Sequence, residues 1–202
     1  MGLAASFRAA ATAVAGLCLV VGAASAGPAA NTYCPPSGFL NATNYALNPS
    51  FETLGPNGSP VNWQNGQPVP APSAAASWFM HSSNAGAAVS SQLVPTTVPG
   101  PGGVRMLRYV AGSNEGGVYQ LIPNSPVKMM FSVWVMVRRG QVAIQAQGGP
   151  TGPVAWSTKR GEWEQLRVCT DGTVPTNMMV IYNQDPAGGE FYIDRVEARA
   201  IP

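Results

Sequence analysis

Charge is scarce in this 202-residue chain: Asp, Glu, Lys and Arg make up 10% of it, and the formal net charge is +2 at pH 7. With neither a basic stripe nor an acidic tail, the chain offers no counterpart to nucleic acid or to an anionic lipid surface. Histidine occurs once, as His81, so neither a Ser-His-Asp triad nor a zinc centre built on histidines can be assembled in the usual way. Long apolar runs are missing after residue 30, and the earlier one, Ala9 to Val21, is shorter than the ~20 residues of a membrane span. A transmembrane anchor is therefore not expected. Glycine-rich phosphate loops are missing as well, because "GPGG" at 100–103 lacks the Lys-Ser/Thr and the following helix.

What is present begins with a leader. Arg8 is the only charge among the first 30 residues, and Ala24-Ser25-Ala26 places small residues where a signal peptidase reads them. Cleavage is expected after Ala26, giving a secreted or periplasmic protein. Cys18 does not make a lipoprotein site, since bulky Leu17 precedes it and the apolar run continues beyond it. The expected organisation is a signal peptide over 1–26, an N-terminal extension over 27–43 and one domain over 44–202, a length that suits a single core. Cys34 and Cys169 survive export, and an isolated pair in an oxidising compartment is most simply a disulfide. Closing a loop of that length stabilises by about 4 to 5 kcal/mol in the chain-entropy model; two unpaired buried thiols are the alternative.

Gly (23) and Pro (19) are abundant, and after residue 30 period-two runs replace helical periodicity. Strands are predicted over 77–81, 87–94, 104–110, 117–122, 128–139, 141–147, 162–169, 177–183 and 190–199. The fold class is all-β: a two-sheet antiparallel β-sandwich, with a jelly roll as its topology. "KMMFSVWVMVRR" and "QVAIQAQ", separated at Gly140, read as a tight hairpin. Phe131, Val133, Val135 and Val137 share one face of the first run and look like sandwich core.

The opening "NPSFE" (48–52), the tryptophan after a Gly/Pro loop (Trp63), "GGVYQLIP", "MMFSVWVMV", "GEWEQLRV" and the closing "GEFYIDRVEAR" occur in that order. Together they resemble carbohydrate-binding modules of the family 4/9/22 type, jelly rolls of the galactose-binding-like group, over about residues 44–199. The resemblance implies packing roles for Trp63 and Trp163 and a structural Ca²⁺ held by Glu52 and Asp194. The chemistry agrees in outline, because Ca²⁺ takes six to eight hard oxygens and two carboxylates with turn carbonyls supply several. Arg195 stands where many relatives carry a second aspartate, which removes a ligand. An ion pair of Glu52 with Arg195, or a turn cap, is the alternative.

Sugar binding asks for flat rings that stack on sugar faces and for amides or guanidiniums that reach hydroxyls in fixed directions. Trp134, Arg138, Gln145 and Gln147 form the leading candidate cluster, on neighbouring strands if the hairpin register allows it. Tyr109, Tyr119, Arg108, Gln120, Tyr182 and Asn183 follow, and Trp78 is a further possible platform. Glu162 and Glu164 could imitate a glycosidase pair, although such a pair is more often a solvated strand edge. The function expected is therefore an exported, non-catalytic protein that binds a poly- or oligosaccharide. An envelope or extracellular β-sandwich that holds a protein partner is the first alternative, and a small glycoside hydrolase or lyase the second.

Overall fold

The computed structural model describes residues 34–36, 40, 42–55, 61–63, 75–81, 89–97, 103–113, 116–122, 128–147, 152–172 and 178–202, the side chains of 61–63 and 89 excepted. The expected leader with Cys18 and its cleavage point, and the packing role of the Trp63 ring, lie outside the described residues.

Eleven strands are described: β1 Val61–Trp63, β2 Phe79–His81, β3 Val89–Pro95, β4 Arg105–Ala111, β5 Gly117–Leu121, β6 Met129–Arg139, β7 Val142–Gln147, β8 Val154–Trp156, β9 Trp163–Cys169, β10 Met178–Asn183 and β11 Gly189–Ala200. They form two antiparallel sheets, one of six strands in the order β1-β3-β4-β11-β6-β9 and one of five in the order β2-β5-β10-β7-β8. Within these, β4-β11-β6-β9 and β5-β10-β7-β8 are the two four-stranded halves of a jelly roll. The additions β3, β1 and β2 widen each sheet on the side of β4 and β5.

Alternation decides what faces inward. From β6, Phe131, Val133, Val135 and Val137 are fully buried in the core between the sheets, as their spacing predicts. They meet Val142, Ile144 and Ala146 of β7, Met179 and Ile181 of β10, and Phe191 and Ile193 of β11. Each buried side chain of this size contributes about 1.5 to 3 kcal/mol of apolar burial.

The hairpin expected at Gly140 is not formed. β6 pairs with β11 and β9, whereas β7 pairs with β10 and β8, so the chain crosses from one sheet to the other at residues 140–141. Gly140 makes that corner at φ 84°, with Asn183 Oδ1 where a Cβ would sit. Alternation reports which residues point inward; it does not report whether the next strand lies beside or opposite the last.

The first described turns are tied to both ends of the sandwich. Asn48 Nδ2 donates to the carbonyls of Thr53 (2.9 Å) and Ala76 (3.1 Å), and its Oδ1 accepts from the Thr53 amide (3.0 Å). Phe51 is fully buried against Trp78, ring centroids 5.2 Å apart. Val196 N donates to the carbonyl of Pro49 at 2.8 Å, which fastens the opening turn to β11. The Cys34–Cys169 disulfide is present, with Cα atoms 5.3 Å apart and a sequence separation of 135. It anchors the N-terminal extension on β9, beside Met130 and Ile201.

Candidate functional site

The outer face of the five-stranded sheet carries a band of rings. In one rung Phe79 lies opposite Tyr119, Tyr119 opposite Val180, Val180 opposite Gln145 and Gln145 opposite Val154. In the next, His81 lies opposite Gly117, Gly117 opposite Tyr182, Tyr182 opposite Ala143 and Ala143 opposite Trp156. Because residues two apart share a face, these side chains point away from the core together. Their rings touch in sequence: Trp156 to Tyr182 at 6.2 Å, Tyr182 to His81 at 6.2 Å, His81 to Tyr119 at 6.4 Å and Tyr119 to Phe79 at 5.5 Å between centroids. Glycine at 117 leaves no side chain between His81 and Tyr182, so the two rings meet across it. Val180 and Ala143 are buried beneath this band, which forms a small apolar cluster separate from the core.

Amides border the rings. Gln147 Nε2 donates to Gln145 Oε1 at 3.0 Å, and Gln145 Nε2 to the carbonyl of Gly152 at 3.5 Å. No Asp, Glu, Lys or Arg occurs in β2, β5, β7, β8 or β10. Burial lowers the pKa of His81, which keeps the imidazole neutral at pH 7, and raises that of Tyr119, which keeps its hydroxyl a donor. Such a surface can stack on a flat apolar face and exchange hydrogen bonds with hydroxyls.

Two members of the leading cluster are separated from the other two. Trp134 and Arg138 lie on the outer face of the six-stranded sheet, where Trp134 pairs with Asp194 and Gln165; Gln145 and Gln147 lie on the outer face of the opposite sheet. The sandwich core stands between them, because Gly140 is a crossing and not a hairpin. Tyr119 and Tyr182 do join the glutamines. Trp78 is 1% exposed and packs in the core, its Nε1 donating to the carbonyl of Asn48 at 3.4 Å. Tyr109 is fully buried and stacked on Phe191 at 5.1 Å, and burial drives its pKa well up. Neither offers a ring to a ligand.

Gln120 is a buried clamp: its Oε1 accepts from Leu47 N at 2.8 Å, while Nε2 donates to Leu47 O at 2.8 Å and Ser77 O at 3.1 Å. Asn183 Nδ2 donates to the carbonyls of Ser113 (3.0 Å) and Asp185 (2.8 Å). Arg108 is held by Glu190 at 2.9 Å on the larger sheet, which raises its pKa and lowers that of Glu190. Trp163 is half-buried on that same outer face instead of in the core, its Nε1 donating to Thr97 Oγ1 at 3.1 Å.

Sequence reasoning did not place Phe79, His81 or Trp156 in the site. Trp156 sits on a three-residue strand after Gly152-Pro153, too short for alternation to register. The ring-rich triplet Phe79–His81 was legible as a strand, but its partner β5 was not.

Glu52 and Asp194, the expected calcium ligands, are both engaged in hydrogen bonds. Glu52 Oε1 already accepts two amide hydrogens, from Val104 and Arg105, each at 2.8 Å. Asp194 is buried, Oδ2 accepting from the Thr96 hydroxyl at 2.6 Å and Oδ1 from Arg195 N at 2.7 Å. Burial raises its pKa. Arg195, at a bulge in β11 with φ 49°, adds a cation whose Nε and Nη2 are buried without a partner, an environment that opposes a second positive charge. No group of three or more His, Cys, Asp or Glu side chains converges among the described residues. Glu164 and Glu162 serve a turn: Glu164 accepts from the amides of Thr158 and Lys159 at 2.8 and 3.0 Å, and exposed Glu162 pairs with Lys159 at 3.6 Å.

No family model and no curated protein sequence matches the chain. Solved structures do. A protein from Bacteroides thetaiotaomicron VPI-5482, provisionally assigned as sugar-binding, superposes with a TM-score of 0.51 at 12% identity, over 78% of this chain and 100% of its own. A family 61 carbohydrate-binding module solved with β-1,4-galactotriose gives 0.49 at 12% identity over 79% and 99%. The family 22 xylan-binding domain of a Paenibacillus barcinonensis protein gives 0.46 at 11% over 65% and 89%. The likeness is one of fold, a two-sheet antiparallel β-sandwich with jelly-roll topology.

Proposed function

We propose that this protein binds carbohydrate, non-catalytically, on the outer face of its five-stranded sheet. The observation that carries the reading is the contiguous run of five rings from Trp156 to Phe79, bordered by Gln145 and Gln147 and free of charged strand residues. An apolar patch alone would suit a protein partner; amides beside the rings suit hydroxyls. The Cys34–Cys169 disulfide supports an exported protein, because such bonds persist in oxidising compartments.

The test is retention of the protein beginning at Gly27 on a panel of soluble and insoluble neutral polysaccharides, with Trp156→Ala and Trp134→Ala compared. Binding lost in Trp156→Ala and kept in Trp134→Ala is the expected result. Equal loss in both, or retention by no polysaccharide, overturns it.

A further inference from the structure

The ring band does not end at Trp156 and Tyr182. The antiparallel ladder runs one rung further: Gln184 N donates to the carbonyl of Gln141 and Ser157 N to the carbonyl of Val142, both at 2.7 Å. Gln184 is two residues past Tyr182 and Gln141 two before Ala143, so both side chains emerge on the face that carries the rings. Here a cavity of about 530 Å³ opens, walled by Gln141, Gln184, Lys159, Arg160 and Asp185. That volume lies within the ~300–1,000 Å³ of small-molecule sites.

We infer that this cavity is a subsite for an uncharged glycosyl residue of the same glycan, an inference that rests on the platform reading above. The wall mixes donors, Lys159 and Arg160, with acceptors, Asp185 and Gln184. A ring bearing several hydroxyls needs that mixture, since each hydroxyl both donates and accepts. Gln184 Oε1 is buried without a hydrogen-bond partner, and a small rotation of its amide would let a ligand hydroxyl satisfy it. The cations do not select an anion: Asp185 opposes them within the wall, and Lys159 lies 3.6 Å from Glu162. A sugar chain therefore lies with its flat faces on Trp156 and Tyr182 and its next residue in the cavity, read there by hydrogen bonds instead of stacking.

The experiment is calorimetric titration with neutral β-1,4-xylo-, β-1,4-galacto- and mixed-linkage β-gluco-oligosaccharides of two to six units. It compares the unmodified protein with Gln184→Leu, Lys159→Met and Trp156→Ala, all checked for unchanged melting. In the unmodified protein affinity rises with chain length until the cavity is filled. Gln184→Leu and Lys159→Met each lower the affinity of the longest oligosaccharide about five- to tenfold and leave that of the shortest one bound unchanged, so the length dependence levels off one residue sooner. Identical length dependence in these variants, with Trp156→Ala still abolishing binding, overturns the subsite and leaves the platform standing. Tighter binding of oligogalacturonates than of the neutral series overturns the uncharged assignment. Binding of nothing by the unmodified protein removes the platform itself.

Discussion

The two outer faces of this sandwich are built on different physics. The larger sheet carries every charged residue found in the strands, among them Arg108 paired to Glu190 at 2.9 Å and Arg199 to Glu197 at 3.1 Å, with Trp134 the lone ring of β6 on that side. The smaller sheet has no charged strand residue and puts five rings in contact on its face. Charges keep a sheet face hydrated and single-valued in register; a band of rings leaves apolar surface exposed unless something covers it. The larger sheet is accordingly the closing and anchoring side, with the disulfide, the bulge at Asp194 and the opening turn all fastened to it. The smaller sheet is the side on which we propose that the glycan binds.

Breaking the anchor has the largest expected effect. The paired replacement of Cys34 and Cys169 by Ser lowers unfolding stability by about 2 to 5 kcal/mol, read by chemical denaturation, while the folded protein keeps its full affinity for glycan. Loss of affinity without loss of melting temperature would place the ligand near β9 and reverse the assignment of faces. Next in size, Trp156→Ala lowers glycan affinity about ten- to a hundredfold, or roughly 1.4 to 3 kcal/mol, whereas Trp134→Ala changes it less than about twofold; titration of both variants compares the two faces directly.

The sole histidine sharpens the contrast further. Its pKa is lowered by burial in the folded state, so as pH falls through the ordinary histidine value of about 6.5 the unfolded chain takes up a proton that the native one refuses. Stability is therefore full above that pH and declines below it towards the depressed folded value. In His81→Gln this part of the decline is absent, which denaturation at pH 7.5 and 5.5 measures. The smallest effect expected is that of metal: because donors already occupy Glu52 Oε1 and both Asp194 oxygens, Ca²⁺ and a chelator give the same melting temperature. A calcium-dependent rise of several degrees would show that those hydrogen bonds yield to the ion.

Much of the sandwich was legible beforehand because alternation is a local property. Phe131, Val133, Val135 and Val137 announce a buried face in seven consecutive residues, and Tyr119 and Gln145 fall on outward positions of strands that the pattern marks correctly. Trp78 and Tyr109 show the limit of that reading. As ring-bearing residues near turns and strands they look like platforms, yet Trp78 is drawn into the core against Phe51 and Tyr109 onto Phe191, contacts with residues 27 and 82 positions away. Glu52 and Asp194 show another limit: the sequence supplies two carboxylates but not the amides and the Thr96 hydroxyl that donate to them.

By itself, then, the sequence determined an all-β chain of one sandwich, its inward-facing set, and the two cysteines available to fasten it, because each follows from residue type and period. Only the tertiary structure decided that Trp134 and Gln145 look out of opposite sides, and that Phe79, Tyr119, His81, Tyr182 and Trp156 form one band. The reason is physical. A strand's own residues fix which of its faces is apolar, but the strand beside it is chosen by the packing of the whole jelly roll, and a site spread over four strands exists only once that choice is made.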